Sequence, residues 1–397
     1  MTLTFSSSSF LSKAIKALIK AFMVFTLSLG FFGLNAVQAD SSTPLSDNAK
    51  TVAQTESRKA ALAQTISGVI QPAFAQFQQR ADAFYQASET FSKTKNADDF
   101  LAAKNAWKEL ALAWNHIRIY RFGVLIGEDL TPYAYYLDSS LLKGKDFSKN
   151  IKKSIDLFLE ENKAATLIKV EALAQMIEKQ NFNQQGLLAT EILLFDNDFS
   201  LASYQKQPLL AIYLQAQAKV LQYRASYLNE HWQSKDYIAQ LLAEADRSSE
   251  KLFNAIWDSL TFAKKERLGN VYRNDQAYPQ KVEAWRSQQS AANLAAWLQA
   301  IQQTLMAQQT SANNTSASFY HLLQADGYQT GDKFVKHIHD IQQALAALSE
   351  PLTDSVSHNK EAVIHIQKTL DQFTGFYERN AMNSLGIDLG FNFNDGD

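Results

Sequence analysis

Apolar positions in this chain recur at three- and four-residue steps almost from end to end. Residues 52–93 carry one long amphipathic pattern. Pro72 should kink it, because proline lacks the backbone donor and crowds the preceding turn. A second pattern runs from about Asp98 to Arg121, weaker ones cover 149–180, and a short apolar run fills 184–195. Further on, Ile238, Leu241, Leu242, Ala245, Leu252, Phe253, Ile256 and Leu260 form a stripe. Phe334, Ile338, Ile341, Leu345 and Leu348 form another, and Val363, Ile366, Leu370, Phe373 and Tyr377 a third. Such spacing lays helices side by side at shallow angles, with the stripes as core. No segment alternates as a strand would. The pattern predicts an all-α fold of two antiparallel, up-and-down helical bundles, giving a bilobed molecule.

Two stretches break the periodicity. Residues 122–150 hold Gly123, Gly127, Pro132, Gly144 and the cluster Tyr133, Tyr135, Tyr136. Residues 264–290 hold Gly269, Tyr272, Arg273, Tyr278, Pro279, Trp285 and Arg286. Irregular segments this long often line sites, so both are expected near the interface of the bundles. The polar stretch 308–318 reads as an exposed linker. A boundary is expected near Ser200–Pro208, with 51–203 as the first bundle and 204–397 as the second.

The N-terminus changes the picture of where the protein works. Lys13, Lys16 and Lys20 precede the apolar stretch Ala21–Leu34, and Val37-Gln38-Ala39 offers small residues for cleavage. Residues 1–39 therefore read as a signal peptide and 40–50 as a flexible lead-in, which predicts a periplasmic protein. The apolar stretch is shorter than the roughly 20 residues a membrane span needs, and no later stretch is long enough. Losing three lysines and no acid moves the formal charge from −2 to −5. Nucleic acid is thereby excluded as a partner, since it calls for a basic face. Without a cysteine, stability rests on the core and not on disulfides.

Candidate chemistry centres on Glu191, set in the run Gln185-Gly186-Leu187-Leu188-Ala189-Thr190-Glu191-Ile192-Leu193-Leu194-Phe195. On a helix its neighbours one turn away are leucines and a phenylalanine. A carboxylate on such a face must be paired, metal-bound or protonated. Arg121 and Arg286 are the expected partners, because a guanidinium offers two parallel donors. A purely structural ion pair and a ligand anchor are both open. No two of the seven histidines are four apart, and His337 and His339 point to different sides of a helix. His358 and Glu361 match His-x-x-Glu, but in a polar setting.

Several pieces, in order, resemble the imelysin-like family. They are Arg121-Phe122-Gly123, after a helix carrying Trp107 and Trp114, and then residues 185–195. Glu283-Ala284-Trp285-Arg286-Ser287, followed by Ser290 and Asn293, and the ending Leu385–Asp397 complete the set. The resemblance implies an exported bacterial protein of two helical bundles, associated with iron uptake, some relatives being classed as metallopeptidases. The family signature is Gly-x-His-x-x-Glu, whose His and Glu share a helical face and can reach one ion. Here Gly186 and Glu191 match, but Leu188 stands at the His position, as in a branch with an apolar residue there. Leucine ligates nothing, and a catalytic zinc normally takes three protein ligands.

The expectation is a non-enzymatic periplasmic protein that binds a ligand between the bundles in iron or metal acquisition. Its site would comprise Glu191, Arg121, Arg286, Ser287, Glu283, Trp285, Tyr120 and His116. One alternative is a metallopeptidase with an altered ligand set, His116 replacing the missing imidazole. Another is a structural or partner-binding protein of the periplasm. The resemblance implies iron or another metal as cofactor, without assigning ligands, and metal-uptake components of the cell envelope as partners.

Overall fold

The computed structural model describes residues 47–127, 131–142, 145–164, 167–307 and 317–389. The expected signal peptide, most of the lead-in and most of the linker at 308–318 lie outside them. Residues 49–397 cluster as one compact unit.

The fold is all-α. Helix α1 (Asp47–Thr65) passes through a π-turn (Ile66–Ile70) directly into α2 (Gln71–Thr94). The Pro72 break predicted from sequence thus appears as a widened turn. That is a natural place for a residue with no N–H and a ring pressing on the carbonyl four positions back. Phe74, Phe77, Ala81, Phe84, Ser88 and Phe91 are buried along one stripe of α2. Lys95, in the left-handed region, ends α2, and the Asn96 side chain accepts from Asp99 N to start α3 (Ala97–Ile117).

After the first irregular segment come α4 (Tyr133–Leu137), α5 (Ser148–Glu161), α6 (Val170–Glu178), α7 (Gly186–Phe195) and α8 (Leu201–Lys206). The long α9 (Leu209–Gln233) follows the expected boundary and packs along α2, α6 and α7. The expected stripe at 238–260 is carried by two helices, α10 (Lys235–Ala243) and α11 (Ala245–Phe262). They break at Glu244, where nothing in the local sequence explains the stop. Ser248 Oγ bridges the break by donating to Leu241 O at 2.9 Å.

The second irregular segment is compact. A π-turn (Ala263–Arg267) leads to a two-residue hairpin, β1 (Tyr272–Arg273) against β2 (Gln276–Ala277). Its central residues Asn274 and Asp275 both have positive φ, as a type I′ turn requires. Then follow α12 (Ser290–Met306), α13 (Phe319–Gln324), α14 (Thr330–Ala346), α15 (Leu352–His358) and α16 (Lys360–Phe376). Helices α12, α14 and α16 pack together, with α11 against α16.

The two groups of helices are tied by α3 against α12, where Tyr120 shares a 2.8 Å hydrogen bond with Thr304 Oγ1. Helix α1 is held by the later helices: Arg58 binds Asp246 Oδ1 at 2.9 Å and Leu385 O at 2.5 Å. No helix among the described residues is long and apolar enough to cross a membrane.

Candidate functional site: a charged cavity beside Glu191

A cavity of about 540 Å³ is lined by α3, α7, both irregular segments and the start of α12. Trp107, Trp114, Trp285 and Tyr278 supply aromatic wall; Leu187, Leu188 and Glu191 come from α7. Trp107 Nε1 donates to Thr190 Oγ1 at 2.8 Å, which fixes α7 against α3.

Gly186 sets the entry to α7. Its φ is +87°, and a Cβ would stand 2.6 Å from Leu137 O and 2.8 Å from Tyr136 O. Only glycine allows α7 to start this close to the end of α4.

Glu191 is 4 % exposed. Its Oε1 accepts from Ser287 N at 3.0 Å and Ser287 Oγ at 2.7 Å. Burial pushes the carboxyl above its usual range, against the pull of the two Ser287 hydrogen bonds and the Arg286 charge. Neither arginine predicted from sequence pairs with it directly. Arg121 lays its guanidinium over Tyr135, 5.8 Å from the ring centre, outside the cavity. Arg286 does line the cavity, but donates to Asp196 Oδ2 at 3.0 Å and Ser148 Oγ at 2.8 Å while lying over Trp285. Asp196 is held below the usual carboxylate range: burial raises it, and hydrogen bonds from Arg286, Asp198 N and Lys152 outweigh that.

The Ser287 turn carries backbone strain. Ala284 and Gln288 both have positive φ, a region costly for residues with a Cβ. Ser287 Oγ, its hydrogen shared with Glu191, also lies 3.1 Å from Ala284 O, and Ser290 Oγ donates to Glu283 O at 2.5 Å. The Glu191 carboxylate thus clamps a turn that local preference would not form.

In a second charged group Glu283, expected from the sequence, meets two arginines that reading the sequence missed. Arg118, just past the end of α3, places Nη1 2.5 Å from Glu283 Oε1. Arg267, ending the π-turn, places Nε 2.6 Å from Glu283 Oε2, close as charges but off-axis for a hydrogen bond. Asn115 Oδ1 accepts from Arg267 Nη2 at 3.0 Å and from Arg118 Nη1 at 3.4 Å. Asp138 accepts from Trp114 Nε1 at 2.9 Å. Burial raises Glu283, but the two guanidiniums overcome it and hold the carboxyl below its usual range. Burial draws Arg267 down to about 10, against the pull of Glu283.

The sequence carried a signal for Arg118. Trp107, Leu110, Ala111, Trp114 and Arg118 fall on one helical stripe, whereas Arg121 follows the end of α3.

Of the expected site residues, the structure gathers Glu191, Arg286, Ser287, Glu283 and Trp285 in or against the cavity. Leu188, at the signature His position, lines it as well. Tyr120 is fully buried elsewhere, packed on Phe74, with its hydroxyl pushed far up by burial. His116 does not line the cavity, and burial lowers its proton affinity. His358 and Glu361 are exposed.

The chain's donor set does not fit the metal centre that the signature implies. Leucine occupies the imidazole position, and Glu191 Oε1 is engaged by Ser287. Among the described residues no three His, Cys, Asp or Glu side chains gather to hold an ion.

These features define an all-α protein with an aromatic cavity flanked by buried, interlocked charges. The imelysin (peptidase M75) family model matches residues 70–375, and the chain belongs to that family. A solved imelysin-like protein from Psychrobacter arcticum shares the fold with a TM-score of 0.66 at 18 % identity, covering 85 % of this chain and 98 % of that one. A protein described as an iron-regulated protein A precursor, from Parabacteroides distasonis, gives a TM-score of 0.65 at 14 % identity, covering 83 % and 95 %. At such identities the likeness is one of fold. No curated protein matches the chain.

Proposed function

We propose that this imelysin-family chain is an exported, periplasmic, non-enzymatic protein that holds a small anionic or chelated ligand in the cavity beside Glu191, in iron or metal acquisition. The observation that carries this reading is the cavity itself. Its volume of about 540 Å³ suits a small molecule, and its tryptophans offer flat apolar surface. Lys145 and Arg273 line it at exposed positions and form no ion pair among the described residues, while Lys281 acts on the neighbouring Asp146. Unpaired cations there favour negative charge in the ligand. A chelate brings its own donors, so the missing imidazole is no obstacle to it. The lysine-led apolar leader supports export.

Titration of the purified protein with ferric citrate and a ferric catecholate complex, read by quenching of tryptophan fluorescence, tests the proposal. Leu188→Trp should fill part of the cavity and weaken binding by tenfold or more, on the order of 1.4 kcal/mol. Binding of no chelate, or binding indifferent to a folded Leu188→Trp variant, would refute it.

A further inference from the structure

The Glu191 carboxyl spends only one of its two oxygens on the protein. Ser287 N–H and Oγ–H both donate to Oε1, whereas Oε2 has no hydrogen-bond partner among the described residues. Oε2 is not sealed inside the wall either. It keeps accessible surface, and Glu191 lines the cavity although only 4 % of the residue is exposed. A carboxyl buried this far must be paired with a cation, bound to a metal or protonated. Glu191 forms no ion pair among the described residues, because Arg286, the nearest pull on it, is committed to Asp196 and Ser148. The donor set for a metal is missing, with Leu188 at the imidazole position. Protonation is left, and the geometry places the proton. Ser287 occupies Oε1 with two donors, so the hydrogen belongs on Oε2, toward the cavity.

The surroundings favour the neutral form. From α3 the cavity wall receives Trp107, Ala111, Trp114 and Asn115, none of which titrates. On α9, Arg224 is spent on Gln185 and on the rings of Tyr133 and Tyr136. On α5, Lys152 is spent on Asp196 and Asp198. Asp138, just past α4, opposes a second negative charge, and burial of Glu191 acts in the same direction. Resting on the reading that this cavity takes an anionic or chelated ligand, we propose that Glu191 is a neutral carboxylic acid whose Oε2–H donates to an anionic oxygen of that ligand. The signature residue that would serve a metal as a charged donor thus serves here as a hydrogen-bond donor, and the loss of the imidazole fits that change. An ionised Glu191 would repel the ligand oxygen, whereas the acid attracts it. Affinity therefore falls as pH climbs and the carboxyl ionises.

Infrared difference spectra of the full chain without ligand, wild type minus Glu191→Gln at neutral pH, should show the C=O stretch of a protonated carboxyl that the variant lacks. Following the same band in wild type as pH rises gives the answer without a variant. Ferric citrate and the ferric catecholate complex, read by tryptophan quenching, supply the second measurement. For whichever binds, the affinity of wild type relative to Glu191→Gln should fall about tenfold or more between about pH 6 and about pH 9, because the amide keeps an N–H donor throughout. Taking the ratio at each pH cancels changes in the chelate itself. A carboxylate band in place of the acid band overturns the proposal and leaves the cavity reading intact. So does a ratio that ignores pH. If neither chelate binds, the cavity reading fails and the donor role falls with it.

Discussion

Glu191 and Glu283 stand in the same wall, and burial raises the proton affinity of both, yet they end on opposite sides of the usual range. The difference is their partners: Glu191 has neutral donors from Ser287, while Glu283 has two guanidiniums. The stability consequences therefore have opposite signs. A carboxyl raised in the folded state contributes most below its unfolded value, 4.5 for Glu191, and loses that contribution as pH climbs through the raised folded value. Glu283 contributes above 4.5 and loses its share as pH falls through its lowered value. Glu191→Gln keeps an oxygen for both Ser287 donors and removes the charge. Its stability at neutral pH should stay within about 1 kcal/mol of wild type, or rise, with a flatter dependence on pH above 4.5. Urea unfolding across that range checks this, and an unchanged slope would show that Glu191 does not titrate there. Glu283→Gln should behave differently. It leaves two buried guanidiniums, Arg118 and Arg267, to share the single carboxylate of Asp138, 3.9 Å from Arg118, a loss of about 3 kcal/mol in the same assay.

At the scale of elements, regular helices were readable because each buries one stripe. The site was only half readable. Ser287 lies 96 positions beyond Glu191, and nothing in local periodicity joins them. Sequence logic chose arginine for Glu191 on the ground that a buried carboxylate needs a strong donor. The chain instead supplies a serine hydroxyl and a backbone N–H from a turn strained at Ala284 and Gln288, a geometry no composition signal announces. The hairpin was missed for a related reason: Asn274-Asp275 lacks the glycine that usually marks a type I′ turn, and the flanking strands have two residues each. Gly186, by contrast, was visible as part of the signature, and the structure gives its reason. The methyl of Gly186→Ala would meet the carbonyls of Tyr136 and Leu137 from a backbone that disfavours side chains. The substitution should cost about 2–4 kcal/mol, detectable by chemical denaturation. It should also loosen Glu191 from Ser287, since α7 would have to shift. A variant as stable as wild type would mean that the start of α7 moves freely.

For the whole molecule, the question is whether two groups of helices behave as two folding units. Sequence periodicity suggested two bundles divided near Ser200–Pro208. The contacts that hold the chain cross that line repeatedly. Helix α9 packs on α2, and α12 packs on α3. Arg58 in the first helix binds Asp246 and the Leu385 carbonyl near the far end of the described chain. The buried Arg118–Glu283–Arg267 group joins the end of α3 to the second irregular segment. Opening one group while keeping the other folded would strip partners from two buried guanidiniums and expose Tyr120 and Thr304 together. Each such break is costly, because charges left buried without partners are penalised more than the pairing itself is rewarded. We therefore expect residues 49–397 to unfold in one cooperative step. Scanning calorimetry should show one transition whose calorimetric and van't Hoff enthalpies agree. Glu283→Gln, which cuts the bridge from one side, is the substitution most apt to split it. Two separate transitions in wild type would mean that the crossing contacts couple the groups too weakly to act as one unit. The cavity would then sit on a joint able to open.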